Sequence, residues 1–138
     1  MPALRPAASA KPVDEKITIN VGFVDLGQID LLVQEGFYAN RTDLIRTAIR
    51  NQLRVHADEV KRTIARRTLV LGLQDLSRAD LERARAEGDM LRIQVVGLVR
   101  IASDVSPELA RATIASVVVL GAFHASPAVR SALADRMH

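Results

Sequence analysis

The most constraining feature of this chain is one stretch of strict alternation near its beginning. Polar residues at 16, 18 and 20 alternate with the apolar residues Ile17, Ile19 and Val21. A period of two with β-branched side chains predicts a β-strand with one apolar and one polar face. The helical patterns that follow supply no second strand. A single chain therefore offers this strand neither a hydrogen-bonding partner nor a cover for its apolar face.

Two helical patterns come next. The first predicts a helix over residues 24–34 whose apolar face is made of Leu26, Ile29, Leu32 and Val33. Gly36 is placed to end it, because glycine tolerates the left-handed conformation common after a helix. Asn40 is expected to cap a second helix, with Asp43 three residues later in the manner of a capping box. No glycine or proline breaks this second pattern before about residue 66.

One strand and two helices of this length bury too little apolar surface to fold alone. Both problems disappear if two chains associate. Their strands then pair antiparallel, and four helices cover the apolar face of the two-stranded ribbon. The polar face, formed by Lys16, Thr18 and Asn20 of each chain, is left pointing outward.

Residues 16–53 resemble the metal-independent DNA-binding domains of the ribbon-helix-helix family. The matching features are the alternation at 16–21, the turn at 35–38 with its glycine and aromatic residues, and the Asn-Arg-Thr-Asp start of the second helix at 40–43. The resemblance implies a dimeric β-α-α domain that inserts its ribbon in the major groove of DNA, with base contacts from Lys16, Thr18 and Asn20.

The chemistry of these side chains fits that implication. Lys16 can donate to guanine, Asn20 can pair with adenine through two hydrogen bonds, and Thr18 can donate, accept or contact a thymine methyl group. At the start of the second helix, free backbone N–H groups and the positive end of the helix dipole favour an anion. Phosphate contacts are therefore expected at Asn40, Arg41 and Thr42.

The second half of the chain contains an internal repeat. Three apolar, β-branched runs each carry a glycine, and these are Gly72, Gly97 and Gly121, spaced 25 and 24 residues apart. Each run leads to a serine placed to cap a helix, namely Ser77, Ser106 and Ser126. This pattern favours three degenerate strand-helix units. A competing interpretation takes the order as β-α-β-β-α-β-α, which is compatible with a ferredoxin-like sandwich.

The expected fold class is therefore α+β. A flexible tail at residues 1–15 precedes a ribbon-helix-helix domain at 16–66. A C-terminal α/β domain at 67–138 follows, expected to act in oligomerisation or as a sensor.

Charge and composition narrow the function. Residues 1–67 carry 11 basic and 8 acidic side chains, whereas residues 68–138 carry 8 of each, so the excess positive charge lies in the first half. Cysteine is absent, which excludes disulfides and thiolate metal sites. The three histidines, His56, His124 and His138, lie far apart, so neither a metal nor another cofactor is expected. The serines at helix starts are explained by capping, and no catalytic arrangement is recognised.

The sequence thus predicts a non-enzymatic, sequence-specific transcriptional regulator, a repressor, with double-stranded DNA and a second copy of itself as partners. Residues 67–138 are expected to raise the homodimer to a tetramer. No run of apolar residues is long enough to span a membrane and no signal peptide is recognised, so a cytoplasmic location is expected. Two alternatives remain: a self-assembling scaffold, and the DNA-binding antitoxin of a toxin–antitoxin pair. A scaffold has no need of the polar face at 16, 18 and 20.

Overall fold

The computed structural model describes residues 14–138. Within this range the chain divides into two compact units, Asp14–Thr63 and Ile64–His138. The predicted flexible tail at 1–15 lies almost wholly outside the described residues.

The first unit contains helix α1 (Phe23–Gln34), helix α2 (Arg41–Val55) and the start of helix α3 (Ala57–Arg67). The first predicted helix is confirmed to within one residue. Its end is also confirmed, because Gly36 has a φ of +85° and its N–H donates to Val33 O at 3.1 Å. The N–H of Phe37 donates to Leu32 O at 3.0 Å, which completes a Schellman motif and satisfies carbonyls that the helix leaves free.

The expectation of one unbroken second helix is wrong, because α2 ends at Val55. The break is His56, whose backbone (φ −99°, ψ 11°) departs from helical geometry and whose N–H bonds back to Leu53 O at 3.1 Å. Arg54 lies in the last turn of α2, and Asp58 and Glu59 lie in the first turn of α3. These charges suit two helix ends, since cations stabilise a C-terminus and anions an N-terminus.

The predicted strand at 16–21 has no regular secondary structure in the single chain. Its apolar residues Ile17, Ile19 and Val21 are 74%, 66% and 39% exposed. A strand requires a neighbouring strand to hydrogen-bond with, and the neighbour predicted here belongs to a second chain. The ribbon therefore stays a prediction.

The second unit alternates strands and helices. Strand β1 (Val70–Leu76), helix α4 (Arg78–Glu87), strand β2 (Leu91–Ile101), helix α5 (Pro107–Thr113), strand β3 (Ile114–His124) and helix α6 (Pro127–Leu133) follow in order, before a 3-10 turn at Ala134–Arg136. The three strands form one sheet in the order β1-β2-β3, and both strand pairs are parallel.

This order corresponds to the interpretation as three strand-helix units. The β-α-β-β-α-β-α order is wrong, because β2 is a single strand of 11 residues where that order placed two. The ferredoxin-like sandwich is wrong too, since it needs antiparallel strand pairs. The physical reason is that Gly97 does not end its strand: β2 runs through it with a φ of +142°.

The predicted helix starts in this unit are confirmed. The hydroxyl oxygens of Ser77, Ser106 and Ser126 accept from backbone N–H groups three residues later, at 3.1, 3.1 and 3.2 Å. The core lies between the helices and one face of the sheet, and its fully buried members include Leu81, Ile93, Val95, Val99, Ile114, Val117, Val129 and Leu133.

The three repeat glycines stand side by side across the sheet. Gly72 pairs with Gly97 and Gly97 with Gly121, and all three have positive φ, at +138°, +142° and +122°. In this conformation a Cβ points toward the neighbouring strand. A Cβ on Gly97 would lie 2.0 Å from the carbonyl oxygen of Gly72, and one on Gly121 would lie 2.0 Å from that of Gly97. A Cβ on Gly72, at the edge, would meet nothing within 4 Å.

Alanine should therefore destabilise the fold more at Gly97 and Gly121, where its Cβ would meet a neighbouring carbonyl oxygen, than at Gly72. Gly72→Ala forces only an unfavourable backbone conformation, about 1–3 kcal/mol. Gly97→Ala adds a collision with a backbone carbonyl and is expected to lower the free energy of unfolding by about 2–6 kcal/mol in all. Urea unfolding of both variants beside the wild type tests this, and equal losses at the two positions would contradict the steric explanation.

Candidate nucleic-acid interface

The predicted base-reading residues lie directly before α1. Lys16, Thr18 and Asn20 are all exposed and alternate with the exposed apolar residues of the same segment. The segment leads into α1 through Gly22, whose carbonyl accepts from Leu26 N at 2.9 Å. The structure thus leaves these polar side chains accessible, and their contact with bases stays a prediction.

An ion pair joins α1 to α2. The guanidinium of Arg41, the first residue of α2, donates from Nε to Asp30 Oδ1 at 2.7 Å and from Nη2 to Oδ2 at 2.8 Å. Both side chains are about half exposed. The hydrogen bonds from Arg41 lower the pKa of Asp30, and those to Asp30 raise the pKa of Arg41. Two parallel bonds fix direction as well as distance, so this pair holds the two helices in one orientation.

Sequence reasoning missed this pair. The available signal was an acid in the middle of α1 opposite a base at the start of α2, across a turn short enough to make the helices neighbours. The pairing also qualifies the predicted phosphate contact of Arg41, because part of its guanidinium is already bound by a carboxylate.

The start of α2 is capped as predicted. The side-chain oxygen of Asn40 accepts from Asp43 N at 2.8 Å, and the carboxylate of Asp43 accepts from Ala39 N at 2.9 Å. The backbone N–H groups of Arg41 and Thr42, at the first two helical positions, have no acceptor within the helix. They are donors of the kind that bind phosphate at helix starts. The phosphate contacts of Asn40, Arg41 and Thr42 themselves stay predictions.

The first unit exposes an unusual amount of apolar surface. None of the residues 14–63 is buried. Large exposed apolar side chains occur in the segment before α1 and throughout the helices; they include Ile17, Ile19, Phe23, Val24, Leu31, Phe37, Ile45, Ile49 and Leu53. Large exposed apolar patches on a folded chain mark surfaces that interact with proteins, membranes or ligands.

A second candidate site is a cleft of about 400 Å³ in the second unit, at the carboxyl ends of the strands. Register places Asp75, Arg100 and His124 side by side on the three strands, and all three line the cleft. Arg100 donates to both oxygens of Asp75, at 2.7 and 3.1 Å, and this bonding raises the pKa of Arg100. The carboxyl edge of a parallel sheet is where α/β folds bind ligands.

The sequence contained a signal for this row that went unused. Asp75, Arg100 and His124 each lie three residues after the glycine of their repeat. Aligning the repeats on their glycines brings the three polar side chains together at one edge.

An alternating polar and apolar segment followed by two helices joined by an ion pair is the arrangement expected of a DNA-binding regulator. Comparison with protein families places the chain: it belongs to the ribbon-helix-helix transcriptional regulator family, whose profile matches residues 12–130. The match extends over both units. Searches of curated proteins and of solved structures gave no match.

Two further observations concern the described residues. None of the helices in residues 14–138 has the length and hydropathy needed to cross a bilayer. Over the same range, no three of His, Cys, Asp and Glu come together in a group suited to holding a metal ion.

The Asp30–Arg41 pair predicts a pH dependence. Because the pKa of Asp30 is lowered by folding, its contribution to stability is present above the unfolded pKa of about 3.9 and is lost as pH falls through the folded value. Asp30→Asn should therefore be less stable than wild type at pH 7, with the difference closing as pH falls below about 4. Urea midpoints measured between pH 7 and pH 3 test this.

The matched control is Glu35→Gln, which removes a carboxylate just after α1 that forms no ion pair within the described residues. It shows how the urea midpoint responds to the loss of a carboxylate that has no basic partner in that range. A pH-independent loss in Asp30→Asn would assign the effect to packing and not to the ion pair.

Proposed function

We propose that this protein is a sequence-specific transcriptional repressor that binds DNA as a homodimer. Two copies of residues 16–21 pair antiparallel, and the ribbon so formed enters the major groove. The observation that carries the proposal is the exposure of Ile17, Ile19 and Val21 in a unit with no buried residue. Those side chains need a cover that one chain does not provide.

Pairing two strands also accounts for the polar face. When Ile17, Ile19 and Val21 turn toward the helices, Lys16, Thr18 and Asn20 of both chains line the opposite face. These three carry the hydrogen-bonding groups that distinguish guanine, adenine and thymine in the major groove. A two-fold symmetric ribbon implies an operator with matching half-sites.

The start of α2 is proposed to bind a DNA phosphate. Arg41 and Thr42 supply the free backbone N–H groups, and Asn40 holds the helix start in place through its bond to Asp43 N. The negative charge of Asp30 is offset by Arg41, which limits its repulsion of a phosphate. Such contacts fix the register of the protein on DNA without reading sequence.

For residues 67–138 we propose that they join copies of the chain, raising dimers to tetramers. Two linked dimers bind neighbouring operators more tightly than either alone, because the second binding step takes place at high effective concentration.

The specific observation in favour of a sensor role instead is the cleft lined by Asp75, Arg100 and His124. A sensor predicts that Arg100→Gln changes reporter repression in cells while the purified variant keeps its operator affinity.

The DNA-reading proposal is tested by selecting bound duplexes from a random library at about physiological salt, where non-specific phosphate contacts are weakened. The wild type should enrich a short symmetric motif. Asn20→Ala should relax the preference at one position in each half-site and cost about 1–3 kcal/mol there. Lys61→Ala, an exposed basic residue of α3, is the matched control and should leave the motif unchanged. A folded dimer that enriches no motif would favour the scaffold alternative.

The dimer proposal is tested by two substitutions on opposite faces of the same segment. Ile19→Glu places a charge on the face proposed to be buried, so it should abolish dimer formation in sedimentation equilibrium and DNA binding with it. Thr18→Glu places the same charge on the outward face and should keep the dimer while losing DNA affinity through repulsion by phosphates. Loss of the dimer in both variants, or in neither, would contradict the assigned orientation of the strand.

A further inference from the structure

The sheet of the second unit is covered on one face only, within the residues described. Core positions alternate along β2, where Ile93, Val95, Val99 and Ile101 all belong to the cluster packed under the helices. The residues between them point the other way. All-parallel sheets occur almost only where both faces are covered. The second face of this sheet therefore lacks a layer that such a sheet normally has.

That second face is apolar at its centre. Register puts Leu71, Val96 and Leu120 in one row and Leu73, Leu98 and Ala122 in the next. None of the six belongs to the core cluster, and we call them the outer patch. Leu71 is 67% exposed, and Leu73 and Leu120 are each 50% exposed, whereas Leu98 on the central strand is only 8% exposed.

Polar groups border the outer patch at its carboxyl end and, on β2, also at the other end, where β3 carries the apolar Val118. The row after it is Asp75, Arg100 and His124, in which the charges of Asp75 and Arg100 offset each other through two hydrogen bonds. Before it, β2 carries Gln94 and Arg92 on the same face. An uncharged apolar centre inside a polar border is the usual composition of a protein–protein interface.

We propose that the outer patch packs against the outer patch of a second copy of this chain, so that two three-stranded sheets lie face to face. The inference rests on the homodimer proposed above, which already brings a second copy within reach. Because the patch carries no charge, two identical patches meet without repulsion. A two-fold axis satisfies both surfaces at once.

The size of the patch favours this occupant over an unrelated protein. Three strands about 4.8 Å apart and two residue rows give roughly 200–300 Å² per copy. Independent partners usually bury about 800 Å² each. So small a contact forms stably only between chains that are held together elsewhere, where the effective concentration is high. The two sheets then belong to the two chains of one dimer.

The absence of cysteine allows a clean test. Leu71→Cys, Leu73→Cys and Leu120→Cys each place one thiol on the outer patch of the full-length protein. Glu108→Cys, an exposed position of helix α5, is the control. A bismaleimide whose span is near the ~10 Å spacing of packed sheets should join two chains through each patch cysteine and not through the control. The proposal is overturned if the patch cysteines are shielded from maleimide but never become joined to a second chain. That result is expected if residues 1–13 or another protein cover the face.

Substitution gives a second readout. Leu71→Glu with Leu120→Glu should raise the dissociation constant of the dimer about tenfold or more. Val70→Glu is the matched control, since Val70 is 60% exposed on the same strand but points to the other face. The proposal is overturned if the patch variant and Val70→Glu raise the dissociation constant equally, or if neither variant changes it.

Neither measurement uses DNA, so the two proposals fail separately. If the patch cysteines cross-link but no operator motif is enriched, the interface proposal stands and the repressor proposal fails. If an operator motif is enriched but the patch cysteines do not cross-link, the repressor proposal stands and the interface proposal fails.

Discussion

In the proposed homodimer, the burial of Ile17, Ile19 and Val21 is the interaction on which the first half of this protein depends. In one chain these side chains are exposed, although each is worth about 1.5–3 kcal/mol when removed from water. The Asp30–Arg41 pair and the Schellman turn at Gly36 orient α1 and α2, but they bury nothing. In the proposed homodimer, orientation is set within a chain and stability is supplied between chains. Such a dimer would tie folding to association and would present the proposed polar reading face only when both copies are present.

The second half, by contrast, buries its apolar side chains within a single chain. Its three strand-helix units close a core within one chain, with each helix start held by a serine cap and each strand aligned by its glycine. Parallel strands need long crossovers, and the short helices α4 and α5 provide them. Among residues 14–138, no layer covers the second face of its sheet. Within this range both halves therefore expose apolar surface: the first has no buried residue, and the second has a sheet with one uncovered face.

The sequence predicted what local chemistry determines. Helix α1, the caps at Asn40 and at the three serines, and the repeat marked by Gly72, Gly97 and Gly121 follow from short-range patterns, and the structure has them. The break at His56 was missed because neither glycine nor proline marks it. The row of Asp75, Arg100 and His124 was missed because its members are about 25 residues apart and meet only through strand register. The Asp30–Arg41 pair likewise depends on how one turn orients two helices, which spacing alone does not give.

The position of that polar row has a consequence for regulation. Asp75, Arg100 and His124 line the cleft at the carboxyl edge of the sheet, and the same three residues form the border of the outer patch. A molecule bound in the cleft by Arg100 would compete with Asp75 and leave that carboxylate uncompensated beside the patch. An unpaired charge at the edge of an apolar contact disfavours association. By thermodynamic reciprocity, assembly through the patch would then weaken binding in the cleft by the same factor. Oligomerisation and sensing, which the sequence left as alternatives for this half, are thus compatible in one sheet because they use adjacent rows of the same three strands.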